Sequence, residues 1–210
     1  MSTPSAPPAA YSPRFTAAVA RLLRVEGGFV NDPKDRGGAT NLGISLRFLA
    51  AELRANPALG NFDLDMDGDV DGEDIRRLTP AHARALYHRC FWDRYRCDTL
   101  PVPIGEAVFD QAVNGGGVAA ARMLQAALNA VAPRLGLALR PLVEDGVIGA
   151  ATADRCAQIA KASNGAIAAI IRAYRDNVAA RYRGIVRNDP SQARFLKGWL
   201  RRAAELGRLA

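Results

Sequence analysis

Apolar residues recur at helical spacing near the start of the chain: Phe15, Val19, Leu22 and Leu23 predict a helix from about Arg14 to Val25. Gly27 and Gly28 follow Glu26 and stop it. The segment Phe29 to Ile44 loses that period and is rich in Gly, Asn, Asp and Pro, which predicts turns around a short β-hairpin. Ser45 reads as the N-cap of a helix reaching about Ala55. Thr79-Pro80 is a strong helix start, an N-cap followed by proline at the first helical position, and the helix carries Ala83, Leu86, Tyr87, Cys90 and Phe91. Beyond Pro101 and Pro103, the pattern predicts helices at about 104–113, 117–131, 150–161, 164–186 and 190–206.

The expected fold class is therefore mainly α, with a small irregular or β wing. Residues 1–13 hold no charge, no basic segment and no apolar run, so they read as a disordered tail and not as a signal peptide. Two lobes are expected, 14–100 and 101–206, meeting at Pro101–Pro103 and packed into one compact unit. The last helix carries Phe195, Leu196, Trp199 and Leu200 on one face with Lys197, Arg201 and Arg202 nearby. It reads as a basic amphipathic helix packed on the core, with contact to a membrane surface as the alternative.

Composition sharpens this picture. Of 210 residues, 49% are hydrophobic and only 7% aromatic, a mix that favours Ala- and Leu-rich helices over a β-sandwich. No stretch approaches the roughly 18 apolar residues of a membrane span. The net charge is +7, but seven of the 21 acids fall between Asp63 and Asp74. The other 14 acids face 28 basic residues, so the rest of the chain carries +14. Such a surface suits a polyanion: nucleic acid, anionic membrane or acidic cell wall. No nucleic-acid recognition motif accompanies the charge. Cys90, Cys97 and Cys156 form no metal-ligand pattern and read as small buried hydrophobes, although a Cys90–Cys97 disulfide is an alternative. His82 and His88 are six apart, off one helical face, and do not suggest zinc.

Glu26 stands where chemistry is expected. A carboxyl at the last turn of an apolar helix sits at the negative end of the helix dipole, and partial burial raises its pKa further. A raised pKa suits a general acid near neutral pH. Eight residues separate Glu26 from Asp35, and four separate Asp35 from Thr40. A turn-rich connection of that length can fold back across a cleft. Glycoside hydrolysis needs such a pairing, an acid for the leaving oxygen and a polar group to hold water or stabilise the oxocarbenium ion. The bland alternative is that Glu26 closes a helix end and Asp35 an Asx turn.

The blocks Val25-Glu26-Gly27-Gly28-Phe29 and Asn31-Asp32-Pro33-Lys34-Asp35-Arg36-Gly37-Gly38-Ala39-Thr40-Asn41-Leu42-Gly43-Ile44 resemble the signature of glycoside hydrolase family 108. These are phage-type and secretion-associated N-acetylmuramidases. The likeness continues through Leu78-Thr79-Pro80, Tyr87, Phe91-Trp92 and Phe109 to Asn114. Asp145-Gly146-Val147-Ile148-Gly149 to Thr152 resembles that family's C-terminal peptidoglycan-binding region, and Phe195 to Leu200 fits its end. The resemblance implies a lysozyme-like α fold and cleavage of the β-1,4 bond between N-acetylmuramic acid and N-acetylglucosamine, with Glu26 as catalytic acid. The Glu, Asp, Thr order also resembles the phage-lysozyme triad, which makes Asp35 and Thr40 the accompanying candidates.

Asp63-Leu64-Asp65-Met66-Asp67-Gly68-Asp69-Val70-Asp71-Gly72-Glu73-Asp74 fits an EF-hand calcium loop. Asp63, Asp65 and Asp67 take positions 1, 3 and 5. Gly68 falls at the sharp turn, Asp69 offers its carbonyl, Asp71 is ninth and Asp74 twelfth. No long helix precedes Asp63, so this is more like a dockerin half-hand than a paired hand. The expectation is a structural Ca²⁺ site pinning an insertion. A calcium switch and a disordered acidic loop are the alternatives.

Asn41, Asp110, Gln111 and Asn114 are the candidate substrate-binding residues, and Asp110 and Asn114 share a helical face. Asn114 could instead cap the following helix. Gly115-Gly116-Gly117 would let a polymer approach the backbone closely. Trp92 and Trp199 read as core, or as stacking surfaces for sugar. Asp145 to Gly149 reads as a tight helix-capping turn. The expected partner is the peptidoglycan glycan strand, met by a monomer made in the bacterial cytoplasm and released by a holin or another route to act in the periplasm. A non-catalytic, calcium-dependent wall-binding module and a lytic transglycosylase or chitinase variant are the competing readings.

Overall fold

The computed structural model describes residues 11–25, 28–31 and 38–208. The greater part of the 1–13 tail, with Glu26 and Asp35, lies outside them. The described chain is mainly helical, with one two-stranded sheet. It divides into two units, residues 1–90 and 91–210.

In the first unit, helix α1 (Pro13–Val25) starts at Ser12, whose Oγ accepts from Phe15 N at 3.1 Å. Pro13 sits at the first helical position, where its missing N–H costs nothing. Phe15, Val19 and Leu22 are buried. The Phe15 ring meets His88 edge-on at 4.7 Å, against the helix α4 (Pro80–Tyr87). Thr79 caps α4 as anticipated, and His82 completes the cap by accepting from Thr79 N. Past Tyr87 the backbone widens into a π-helical stretch, His88–Asp93.

Strands β1 (Thr40–Asn41) and β2 (Ile44–Ser45) form the hairpin. Its two-residue connection, Leu42-Gly43, has φ of 50° and 75°. Both values are positive, the pattern of a type I′ turn, whose twist matches that of the strands. The penalty on a leucine there is borne by neighbours: the Tyr87 hydroxyl donates to Leu42 O at 2.9 Å. Ser45 then caps α2 (Leu46–Ala55), accepting from Phe48 N at 3.2 Å. Helix α3 (Gly72–Arg77) lies at the end of the acidic run and was not anticipated from the sequence.

The second unit is an α-helical core. Helices α5 (Ile104–Gly115), α6 (Gly117–Arg134) and α8 (Ala166–Asn188) pack on one another. Helices α7 (Ala150–Ala160) and α9 (Ala193–Glu205) pack against α8. Val108, Phe109, Leu124, Leu128, Ile170 and Tyr174 fill the interior. Trp92 is fully buried: its ring meets Phe109 edge-on at 5.3 Å and its Nε1 donates to Asp98 at 2.7 Å. Trp199 is half-buried and stacks between Tyr182 and Phe195 at 5.2 and 5.7 Å. Cys90, Cys97 and Cys156 are buried free thiols, so no Cys90–Cys97 disulfide forms. Burial pushes the Cys156 pKa up to about 12.

The Asp145–Gly149 segment, expected to be a helix-capping turn, bends at Gly146 with φ 84° but gives α7 no side-chain cap; α6 holds it instead. Gln125 donates from Nε2 to Asp145 Oδ1 at 2.7 Å and accepts from Gly146 N at 3.0 Å. Asn129, one turn further along α6, exchanges two hydrogen bonds with the backbone of Leu142. Donors aimed at the Asp145 carboxylate, Gln125 first and then Val147 N–H, hold its pKa below the usual range.

Candidate functional site

The site begins at the C-terminal end of α1. Glu26 immediately follows Val25, its last residue, and neither Glu26 nor Asp35 is among the described residues. Val30 and Thr40 exchange both backbone hydrogen bonds at 2.8 Å, so residues on either side of the Asp35 segment are paired antiparallel. Thr40 continues into the hairpin opposite Ser45, is half-buried, and its hydroxyl reaches Gly38 O at 3.4 Å.

Asn41 is buried, at 8% exposure, and its amide is already committed. Nδ2 donates to the carbonyls of Ile75, Arg76 and Leu78 at 3.0, 3.2 and 3.4 Å. These oxygens belong to the C-terminal end of α3, where a helix leaves its carbonyls without partners. Arg76 also lies over the Phe29 ring, 4.2 Å from its centroid. The short helix that ends the acidic run is thus tied to both Phe29 and the hairpin.

The acidic run folds on itself. Oxygens of Asp63, Asp65 and Asp67 lie within 4.8 Å of one another, and so do those of Asp69, Asp71 and Asp74. Asp63 accepts from Asp67 N and Gly68 N, both at 3.1 Å, while Gly68 turns the chain at φ 105°. Asp74 is fully buried and accepts from Leu64 N at 2.5 Å and Asp71 N at 2.8 Å. Asp71 in turn caps α3. Asp65 pairs through Oδ2 with Arg77 at 2.8 Å, yet its Oδ1 is buried without a hydrogen-bond partner. A buried carboxylate oxygen without a partner is costly, and here it lies in one of two groups of three close carboxylates. Crowding by Asp67, with lesser effects of burial, Asp71, Asp74 and Asp63, raises the pKa of Asp69.

In the second unit the remaining candidates occupy α5. Asp110 is held by Arg202 at 3.0 and 3.3 Å. Asn114 donates back to Asp110 O at 2.8 Å and does not cap α6, whose N-terminus no side chain caps. Gln111 is buried, with Oε1 accepting from the Tyr182 hydroxyl at 3.2 Å. Asp110 and Asn114 therefore share a face, and Gln111 points into the core.

Comparison with known proteins supplies the class: residues 19–116 match the family described as Glycosyl hydrolase 108, and residues 119–204 match a Predicted Peptidoglycan domain. Residues 19–116 thus form a glycosyl hydrolase 108 region, and with the peptidoglycan domain that follows it the chain is a peptidoglycan hydrolase. No curated protein matches it. Among solved structures it is similar to one titled "Structure of Brucella abortus SagA", at 26% identity and a TM-score of 0.62, over 93% of this chain and 97% of that one. Among the described residues no helix is long and apolar enough to cross a membrane.

Proposed function

We propose that this enzyme hydrolyses the β-1,4 bond between N-acetylmuramic acid and N-acetylglucosamine, with Glu26 as general acid. The observation that carries the reading is position: Glu26 follows the last residue of α1, inside the region matched to the glycosyl hydrolase family. The negative helix end favours a protonated carboxyl there. Asp35 and Thr40 take the opposite side of the bond, to hold water and steady the developing positive charge on the sugar ring. The Val30–Thr40 pairing supports this arrangement, because it holds the chain on both sides of Asp35 together. Asp110 and Asn114 offer polar contacts to sugar hydroxyl or acetamide groups.

The acidic loop is read as a structural calcium site. Asp63, Asp65, Asp67, Asp71 and Asp74 supply carboxylates and Asp69 its carbonyl, and Asp65 Oδ1 is the oxygen with the most to gain. When bound, the ion neutralises mutual repulsion and fixes α3, which carries the hairpin bearing Thr40 through Asn41. The enzyme acts as a monomer on the wall in the periplasm, reached through a holin or another export route. Its basic surface, +14 outside the acidic run, suits the anionic polymer.

Digestion of purified sacculi, followed by mass spectrometry of the fragments, tests the bond assignment. Products ending in reducing N-acetylmuramic acid are expected. Ends in reducing N-acetylglucosamine would move the cleavage to the other glycosidic bond, and 1,6-anhydro ends would replace hydrolysis by transglycosylation.

A further inference from the structure

The second unit holds a cavity of about 590 Å³. Tyr95, Gly115, Gly116, Gly117 and Val118 wall it, and the cationic residues Arg122 and Arg181 also line it. Three features of these residues point to one ligand chemistry. The first is steric. A Cβ on Gly117 would fall 2.1 Å from the Tyr95 ring, so only glycine lets the ring lie across the start of α6. Gly116, at φ 89°, turns the chain into that helix. The second is polar. The 18-residue helix α6 begins here with no side-chain cap, and its first residues, Gly117, Val118 and Ala119, line the cavity. The third lies behind Gly115. Gln111, 1% exposed, packs in the core beneath this residue: a Cβ on Gly115 would sit 1.8 Å from its Nε2, and that nitrogen has no hydrogen-bond partner.

Arg122 and Arg181 are cationic at every ordinary pH, and no carboxylate side chain is among the lining residues. Arg181 is steadied by Gly115 O at 3.4 Å, and Arg122 runs beside Gly146. Arg122 helps to lower the pKa of Asp145, whose carboxylate already accepts from Gln125 and Val147. We propose that this cavity binds a carboxylate of the muramyl side of peptidoglycan, paired with Arg122 and Arg181 and flanked by Tyr95. The assignment rests on the wall polymer being the substrate. Guanidinium groups match carboxylates in a two-pronged fashion, and a helix start adds backbone donors. Tyr95 offers an apolar face to the ring or chain that carries the acid. Two carboxylates of the polymer fit: the lactyl group of muramic acid, and those of its acidic stem peptide.

The test uses the full isotope-labelled chain carrying Glu26→Gln, titrated separately with N-acetylmuramic acid, L-alanyl-D-glutamate and N-acetylglucosamine. The acid that occupies the site should shift the amides of Gly117, Val118 and Ala119 saturably by about 10 mM, ten times a millimolar Kd. N-acetylglucosamine, which lacks a carboxylate, should not. A response to the sugar acid alone assigns the lactyl group, and one to the dipeptide alone assigns the stem. Arg181→Ala should weaken binding about tenfold, the loss of one charged hydrogen bond. Val118→Asp places a negative charge in the helix's first turn, where it favours the fold, and should abolish binding with no loss of thermal stability. No saturable shift with either acid, equal shifts with N-acetylglucosamine, or undiminished binding by Val118→Asp would each overturn the proposal. Sacculus digestion by the wild-type chain is scored separately, so an enzyme that digests without these shifts loses the pocket and keeps the hydrolase.

Discussion

Nδ2 of Asn41 lies 3.0 Å from the main-chain oxygen of Ile75, joining the hairpin to the helix that ends the acidic run. One amide group serves three carbonyls at the end of α3, of which Ile75 O also accepts from Leu78 N at 3.3 Å. The hairpin strand that carries Thr40 therefore takes its position from the acidic loop.

Asn41→Ala leaves those carbonyls underfilled in a buried place. A loss of about 1–3 kcal/mol in stability is expected, the cost of an unsatisfied buried polar group. Denaturant unfolding measures it. A change within experimental error would mean that hairpin and loop are not coupled through this side chain.

Calcium binding is predicted to stabilise the fold, by about 2.7 kcal/mol when the ion is a hundredfold above its Kd. Chelation should lower the melting temperature and added Ca²⁺ should restore it. Asp67→Asn removes one charge from an exposed carboxylate of the loop and should shrink the response. Identical melting curves with chelator and with calcium would remove the ion from the account.

Much of this was legible in the chain, and the reasons are local. Ser45 and Thr79-Pro80 announced their helices because a cap is a short-range signal, and both caps form. A short hairpin was expected within Phe29 to Ile44 from the Gly, Asn, Asp and Pro content of that segment, and one forms between Thr40 and Ser45. Helix α3 was missed: six residues with an acidic start read as the end of an ion loop, and its carbonyls are completed by Asn41, 34 residues away. That distance also explains why Asn41 was read as a substrate ligand, although its donors serve the fold. The triple glycine at 115–117 was noticed, but its partner Tyr95 is 22 residues upstream of Gly117 and belongs to no periodic pattern. Gln125 likewise reads as an ordinary helical residue until the Asp145 turn is folded onto it.

Cys156 should be inert in the native protein. Burial raises its pKa from 9.0 to about 12, so the nucleophilic thiolate is absent at pH 8. Since Cys90 and Cys97 are buried too, a thiol reagent should titrate none of the three natively and all three after denaturation. The raised pKa makes the contribution of this group to stability full below pH 9 and falling as pH climbs towards 12. Fast labelling of Cys156 in the folded chain would contradict the packing of α7.

Asp145 has the opposite sign. Its pKa is lowered first by Gln125 and then by Val147 N–H, so its contribution is present above the ordinary carboxylate range and is lost on acidification. Gln125→Ala should bring the Asp145 pKa back up and make the chain unfold at a higher pH on acid titration. An unchanged carboxyl titration, followed by nuclear magnetic resonance, would show that the turn is held by other contacts.

The central claim is settled most directly by the rate at which Glu26→Gln releases reducing ends from purified sacculi, with circular dichroism confirming its fold. The account predicts a folded protein whose rate falls by at least about a hundredfold, since a positioned general acid contributes that much or more. A folded Glu26→Gln chain that cuts at the wild-type rate would contradict it.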